Sequence, residues 1–153
     1  VAAAFLAAAP AAAQTLKFST PSARAERVEV ELLLHTPAGK EPSTLQWEAI
    51  IPLDQVTLVD GFPQVGAAAQ AADKIVSCSA KTRESDSLTI LCLAFGGAKP
   101  IGNGVVTRFS FRISSTARKG PAVVRLKRAI AVTADLKRTD IPDTSVAIPI
   151  PLR

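Results

Sequence analysis

The sequence predicts an all-β fold, a sandwich of two sheets built from about nine strands. Three observations carry this. The first is the stretch NGVVTRFSFRIS at 103–114, where an Asn-Gly turn runs into strict alternation. Val105, Thr107, Phe109, Phe111 and Ile113 fall on one side, and Val106, Arg108, Ser110 and Arg112 on the other. A period of two over that length marks a strand with one dry and one wet face. The second is punctuation: 11 prolines and 8 glycines are spread along the chain, separating short apolar segments with no helical crossovers between them. The third lies in the last apolar segment, where Pro149 and Pro151 sit two residues apart. Residues two apart direct their N–H groups to the same lateral side, so both prolines blunt one side only, as suits an edge strand.

A chain of 153 residues with 48% apolar content can build one self-sufficient core. Residues 1–13, VAAAFLAAAPAAA, read as the end of a secretory signal peptide, with an A-x-A site that starts the mature chain at Gln14. A short Ala-rich helix is the competing reading. The domain is then 14–153, exported to the cell surface or beyond, with no other apolar run long enough to span a bilayer. The net charge of +5 comes without a dense basic block.

Taken in order, TLKFST at 15–20 makes a short strand that Pro21 ends. In 27–36, Val28, Val30, Leu32 and Leu34 alternate with Glu29, Glu31, Leu33 and His35. TPAGKEPS is a loop. In 45–52, Leu45, Trp47, Ala49 and Ile51 face one way and Gln46, Glu48 and Ile50 the other. Residues 56–59 form a short strand closed by Asp60-Gly61, and the Ala-rich 66–74 supplies one or two helical turns. Residues 75–79 and 88–95 are two strands flanking the polar turn 81–87. Folded near Glu84 and Ser85, that hairpin sets Cys78 opposite Cys92, where a disulfide would contribute roughly 3 kcal/mol. Two buried free thiols are the other reading. In 120–133, Val124 and Leu126 point inward and Arg125 and Lys127 outward, and Arg128 breaks the pattern as a bulge would. Residues 134–144 form a polar loop. In the final strand, 146–152, Val146, Ile148, Ile150 and Leu152 alternate with Ala147, Pro149 and Pro151.

No catalytic fingerprint occurs, and the chain is expected to be no enzyme. His35, the only imidazole, sits outward beside a Thr-Pro turn. Glu29 and Glu31 share a strand face as a solvated pair would. Asp140 and Asp143 could contribute to a calcium site but read more simply as a turn. Two thiols and one distant His cannot complete a zinc site, so no metal and no cofactor is expected. The basic residues of the last third lack the aromatic platforms that single-stranded nucleic acid needs. For a polysaccharide ligand the available rings are Trp47, which alternation places in the core, and Phe62, in an exposed DGFP loop.

Four segments together resemble the cohesin domains of bacterial secreted proteins: VEVELLL, LQWEAIIPLDQVTLV, IGNGVVTRFSFRIS and GPAVVRL, in that order over about 15–152. The placement of Cys78 and Cys92 about the intervening turn is similar as well. The resemblance implies a nine-stranded sandwich of jelly-roll topology, related to some carbohydrate-binding modules. It also implies a non-catalytic, monomeric module that binds a dockerin-type protein through one sheet. Carried onto this chain, the binding face comprises Gln46, Glu48, Ile50, Ser77, Ser79, Thr89, Leu91, Leu93, Arg125 and Lys127. If the register slips by one residue, Leu91 and Leu93 are core instead. A polysaccharide remains the second ligand class.

Overall fold

The computed structural model describes residues 13–151, so most of the expected leader, and Leu152, lie outside the described residues. Twelve strands occur in two sheets: β1 Thr15–Phe18, β2 Ser22–Arg24, β3 Arg27–His35, β4 Thr44–Pro52, β5 Val56–Leu58, β6 Gln64–Val65, β7 Ile75–Arg83, β8 Ser87–Phe95, β9 Gly104–Ile113, β10 Gly120–Val132, β11 Arg138–Ile141 and β12 Thr144–Ile150. Among the described residues there is one short helix, α1 Ala67–Ala71, which joins β6 to β7. Sheet A runs β1-β3-β9-β5, with β2 also on β3 and β6 also on β9. Sheet B runs β11-β10-β4-β8-β7, with β12 also on β10.

Because β9 occupies one side of β3 along most of its length, β1 and β2 must share the other. The same reasoning puts β5 and β6 together on β9, and β11 and β12 together on β10. The short β2, β6 and β11 thus extend existing lanes, which is why a count of nine strands describes the architecture. Residues 134–144 are nevertheless not all loop. Arg138 to Ile141 pair with β10, and Ile141 is buried.

The core lies between the sheets. Trp47, Ile51, Leu126 and Ile148 come from sheet B; Leu32, Leu34, Phe109 and Phe111 come from sheet A, all essentially inaccessible. Phe109 stacks on Phe111 at 5.9 Å and meets Phe18 edge-on at 6.0 Å, the offset contacts aromatic quadrupoles favour. Alternation holds in β3 and β4, but in β9 it fails at one place. Leu33 pairs with Val105 and Leu32 with Thr107, so Val106 is an extra residue in a bulge. Two successive residues then share the inner side. Val106 and Thr107 are both buried while Val105 is half-buried, which reverses the expected placement of Val105 and Val106. Thr107 satisfies its hydroxyl by donating to the Gln64 carbonyl at 2.7 Å.

Cys78 and Cys92 are direct cross-strand partners and form a disulfide with Cα atoms 4.1 Å apart. At the opposite side of sheet B, Pro149 lies across from Pro121, so this pair donates no ladder hydrogen bond.

Candidate functional site

The ten face residues expected from the sequence come from four adjacent strands, and the register arranges them in rows. Arg125, Ile50 and Thr89 form one row, continued by Thr82. Lys127, Glu48, Leu91 and Ser79 form the next. Gln46, Leu93 and Ser77 form a third, which Ile130 extends. All point away from the core. Leu91 and Leu93 are half-buried on this outer surface, whereas Ile90, Cys92 and Ala94 are the buried residues of β8, so the one-residue slip does not occur.

Two further pairs continue the surface: Val132 opposite Thr44, and Phe95 opposite Ile75. The sequence reading left these out. Ile75 is 60% exposed and Phe95 39%, unusual values for large apolar side chains. Continuing the phase of Ser77 and Ser79 back to Ile75, and of Leu91 and Leu93 on to Phe95, would have found them. Ile130 and Val132 were hidden for a different reason. The bulge after Lys127 puts Arg128 at φ 51 and shifts the alternation beyond it.

Glu48 occupies the middle of this surface and is 7% exposed. A carboxylate this covered needs partners, and it has two. Lys81 donates to Oε1, and the Arg128 guanidinium lies 3.6 Å from Oε2. Both cations sit in bulges: Lys81 is the extra residue between Ala80 and Thr82 of β7, and Arg128 belongs to the β10 bulge. The two irregularities flank Glu48 from either side and aim one cation each at it. Near the edge of the face, Arg138 pairs with Asp140 at 3.4 Å. Arg125 and Lys127 have no ion-pair partner among the described residues.

Behind the Phe95 end, the Lys74 ammonium is buried and donates to the carbonyls of Gly96 and Gly97 at 2.7 and 2.9 Å. Burial lowers its pKa, and neighbouring Asp73 partly opposes that. This clamp fixes the chain where it leaves β8. The carboxyl of Asp73 is itself held below its ordinary value by a hydrogen bond and the charge of Lys99.

The other candidates disperse. His35 is exposed at the end of β3, opposite Thr15. Glu29 and Glu31 lie on the outer face of the other sheet. Asp140 belongs to β11 and serves Arg138, and no group of three metal-ligating side chains occurs among the described residues. Trp47 is fully buried, and Phe62 is half-buried rather than exposed. Among the described residues, the exposed ring is Phe95. No described helix is long and apolar enough to cross a membrane.

Two packed antiparallel sheets with one partly apolar outer surface define a jelly-roll sandwich of cohesin fold. The structural likeness is to cohesin modules across most of the chain. The sixth cohesin of Acetivibrio cellulolyticus scaffoldin B, solved with a Cel5 dockerin mutant, shares 15% identity at a TM-score of 0.69, covering 92% of this chain and 100% of that one. The Clostridium thermocellum OlpA cohesin, also solved with a dockerin, shares 14% identity at 0.64, covering 88% and 97%. A non-cellulosomal cohesin from Archaeoglobus fulgidus shares 11% at 0.58, covering 89% and 91%. No protein-family model matches the chain, and no curated protein matches it by sequence.

Proposed function

We propose that this chain is an exported, non-catalytic binding module that takes a dockerin-type protein on the outer face of sheet B. The observation that carries it is the outward apolar surface of exposed Ile75 and Phe95 and half-buried Leu91, Leu93, Ile50 and Ile130, with charged residues beside it. An apolar centre with a polar rim is the usual anatomy of a protein interface. The cohesin structures solved with dockerins support the same class of partner. Export accords with the disulfide, which persists in oxidising compartments; N-terminal sequencing of the exported protein should start at Gln14.

A panel of dockerin modules, titrated by calorimetry against the wild type and the Leu91→Asp and Arg125→Ala variants, tests the reading. At least one dockerin should bind. Leu91→Asp should weaken it about 100-fold, since it places a carboxylate in a desolvated contact. Arg125→Ala should weaken it a few-fold, as a rim charge does. Binding indifferent to both substitutions, or no binding to any dockerin, would sink the proposal.

A further inference from the structure

The outer face of sheet A carries a row of like charge at one end. Arg24 lies opposite Arg27 in the β2–β3 hairpin, and Arg27 lies opposite Arg112 on β9. Thr57 of β5 continues the row beyond Arg112. Val28 and Phe111, adjacent along their strands, are core residues, so the arginines point outward, and all three are exposed. The row itself holds no carboxylate. Glu26 sits in the turn between Arg24 and Arg27, Glu29 in the next row between Ser22 and Ser110, and Asp54 and Asp60 in the turns on either side of β5. Among the described residues no ion pair joins any of these carboxylates to the three arginines. Like charges directly across from one another cost stability. Water hydrates each guanidinium but leaves their mutual repulsion in place. At its Arg112 end the row meets a hollow of about 430 Å³, which Glu26, Lys119, Ile113 and Ile150 also line. That is the size of a small-molecule site rather than of a seat for a folded partner.

We infer that this row is a second binding site, for an acidic polysaccharide that runs across the strands of sheet A with its oxyanions over Arg24, Arg27 and Arg112. A guanidinium presents a planar fork of donors that matches a carboxylate or a sulfate with two parallel hydrogen bonds. Neighbouring strands lie about 4.8 Å apart, so three arginines present charge over about 10 Å, which a short run of linked sugars covers. The sugar entering the hollow meets Lys119 as a fourth cation, and Glu26 can accept from its hydroxyls. The exposed uncharged neighbours of the row, Thr57 and Ser22, offer hydroxyls as well. Other anionic partners fit less well. A protein would find no apolar centre in the row. A single-stranded nucleic acid would find no ring to stack on, and a lipid surface no apolar group to insert beside the charges. A charged glycan needs neither, and it relieves the repulsion that the fold leaves standing. The site does not depend on the outer face of sheet B, so one module could hold a protein and a glycan on opposite sides.

Polygalacturonate and dextran sulfate are the probes, with neutral dextran, polyglutamate and phosphatidylglycerol vesicles for comparison. Affinity is read by calorimetry and by the melting temperature, which a ligand of the folded state raises. At low ionic strength at least one of the two charged glycans should bind and neutral dextran should not, and the binding should fade as salt screens it. Which of the two binds more tightly tells whether carboxylate or sulfate is the preferred oxyanion. The Arg27→Gln, Arg112→Gln double variant should bind roughly 10-fold more weakly. The same variant, free of ligand, should melt about 1 °C higher, because the opposed charges are gone. The Lys17→Gln, Arg108→Gln double variant removes as much charge from the same face outside the row and should bind as the wild type does. Equal losses in the two double variants would reduce the effect to net charge and refute the site. Polyglutamate or vesicles held as tightly as the better glycan would refute the polysaccharide, and so would failure of both charged glycans to bind.

Discussion

The two outer faces of the sandwich obey the same alternation and present different chemistry. On sheet A, the outward residues of β3 and β9 include Glu29, Glu31, Leu33, Val105, Arg108, Ser110 and Arg112, with Ser110 fully buried and Leu33 a lone exposed aliphatic side chain. The charged members pair with charge or with polar groups: Glu31 lies across from Arg108, whose guanidinium donates to Gln64 at 3.0 Å. Water satisfies those charges without help. On sheet B the corresponding positions of β8 hold Thr89, Leu91, Leu93 and Phe95, and the carboxylate in the middle is covered by two cations. The difference teaches that the inner faces make the fold and the outer faces make the distinction. A strand apolar on one side is explained by the core, whereas β8 is apolar on both sides and the core accounts for only one.

The comparison can be strained from the inside outward. Trp47→Ala and Phe109→Ala remove one fully buried ring from each sheet and should each cost about 3–5 kcal/mol in denaturant unfolding. A large inequality between them would show that the two sheets do not share one core equally. Next comes the covered carboxylate. The Lys81→Ala, Arg128→Ala double variant should lose about 1 kcal/mol, because Glu48 loses both ion-pair partners while the truncation admits water to its carboxylate. Adding Glu48→Gln should restore at least half of that loss. No loss in the double variant would show that water already serves Glu48.

On sheet A, Glu29→Ala with Glu31→Ala should change stability by less than about 0.5 kcal/mol and leave any dockerin affinity untouched. A loss of binding there would move the interface to the wrong face. The smallest effect is at Asp73. Its lowered pKa means that its contribution to stability is present above the ordinary value of 3.8 and is lost as pH falls through the folded value. Lys99→Ala should move the Asp73 pKa up toward 3.8 in an NMR titration, with almost no change in melting temperature. An unchanged Asp73 titration would remove Lys99 as its cause.

Much of this arrangement can be read from the chain because the inner face of a strand has a strict period. Val28, Val30, Leu32 and Leu34, and Leu45, Trp47, Ala49 and Ile51, declare themselves. What escaped has two physical causes. Bulges shift the phase at Val106 and at Arg128, so the residues beside or beyond them change side without any local signal. Cover also arrives from far along the chain. Glu48 is an ordinary outward residue of β4 until Lys81 reaches it from β7, 33 positions away. The strand β11 was missed because Arg138, Thr139 and Asp140 lack apolar alternation, and β10 alone recruits them. Leu91 and Leu93 were placed outward correctly, while Ile75 and Phe95, in the same phase at the strand ends, were passed over.

The Cys78–Cys92 link acquires a further meaning if the module bears load between a chain it belongs to and a partner it holds. Tension running along the polypeptide passes through the covalent bridge and bypasses the residues between the two cysteines. The β7–β8 hairpin end, with Ser79 and Leu91, would then stay folded back on itself even when the rest of the domain is pulled straight. The sequence separation is 14, so a single oxidised module under force should release about 50 Å less contour length than the reduced one.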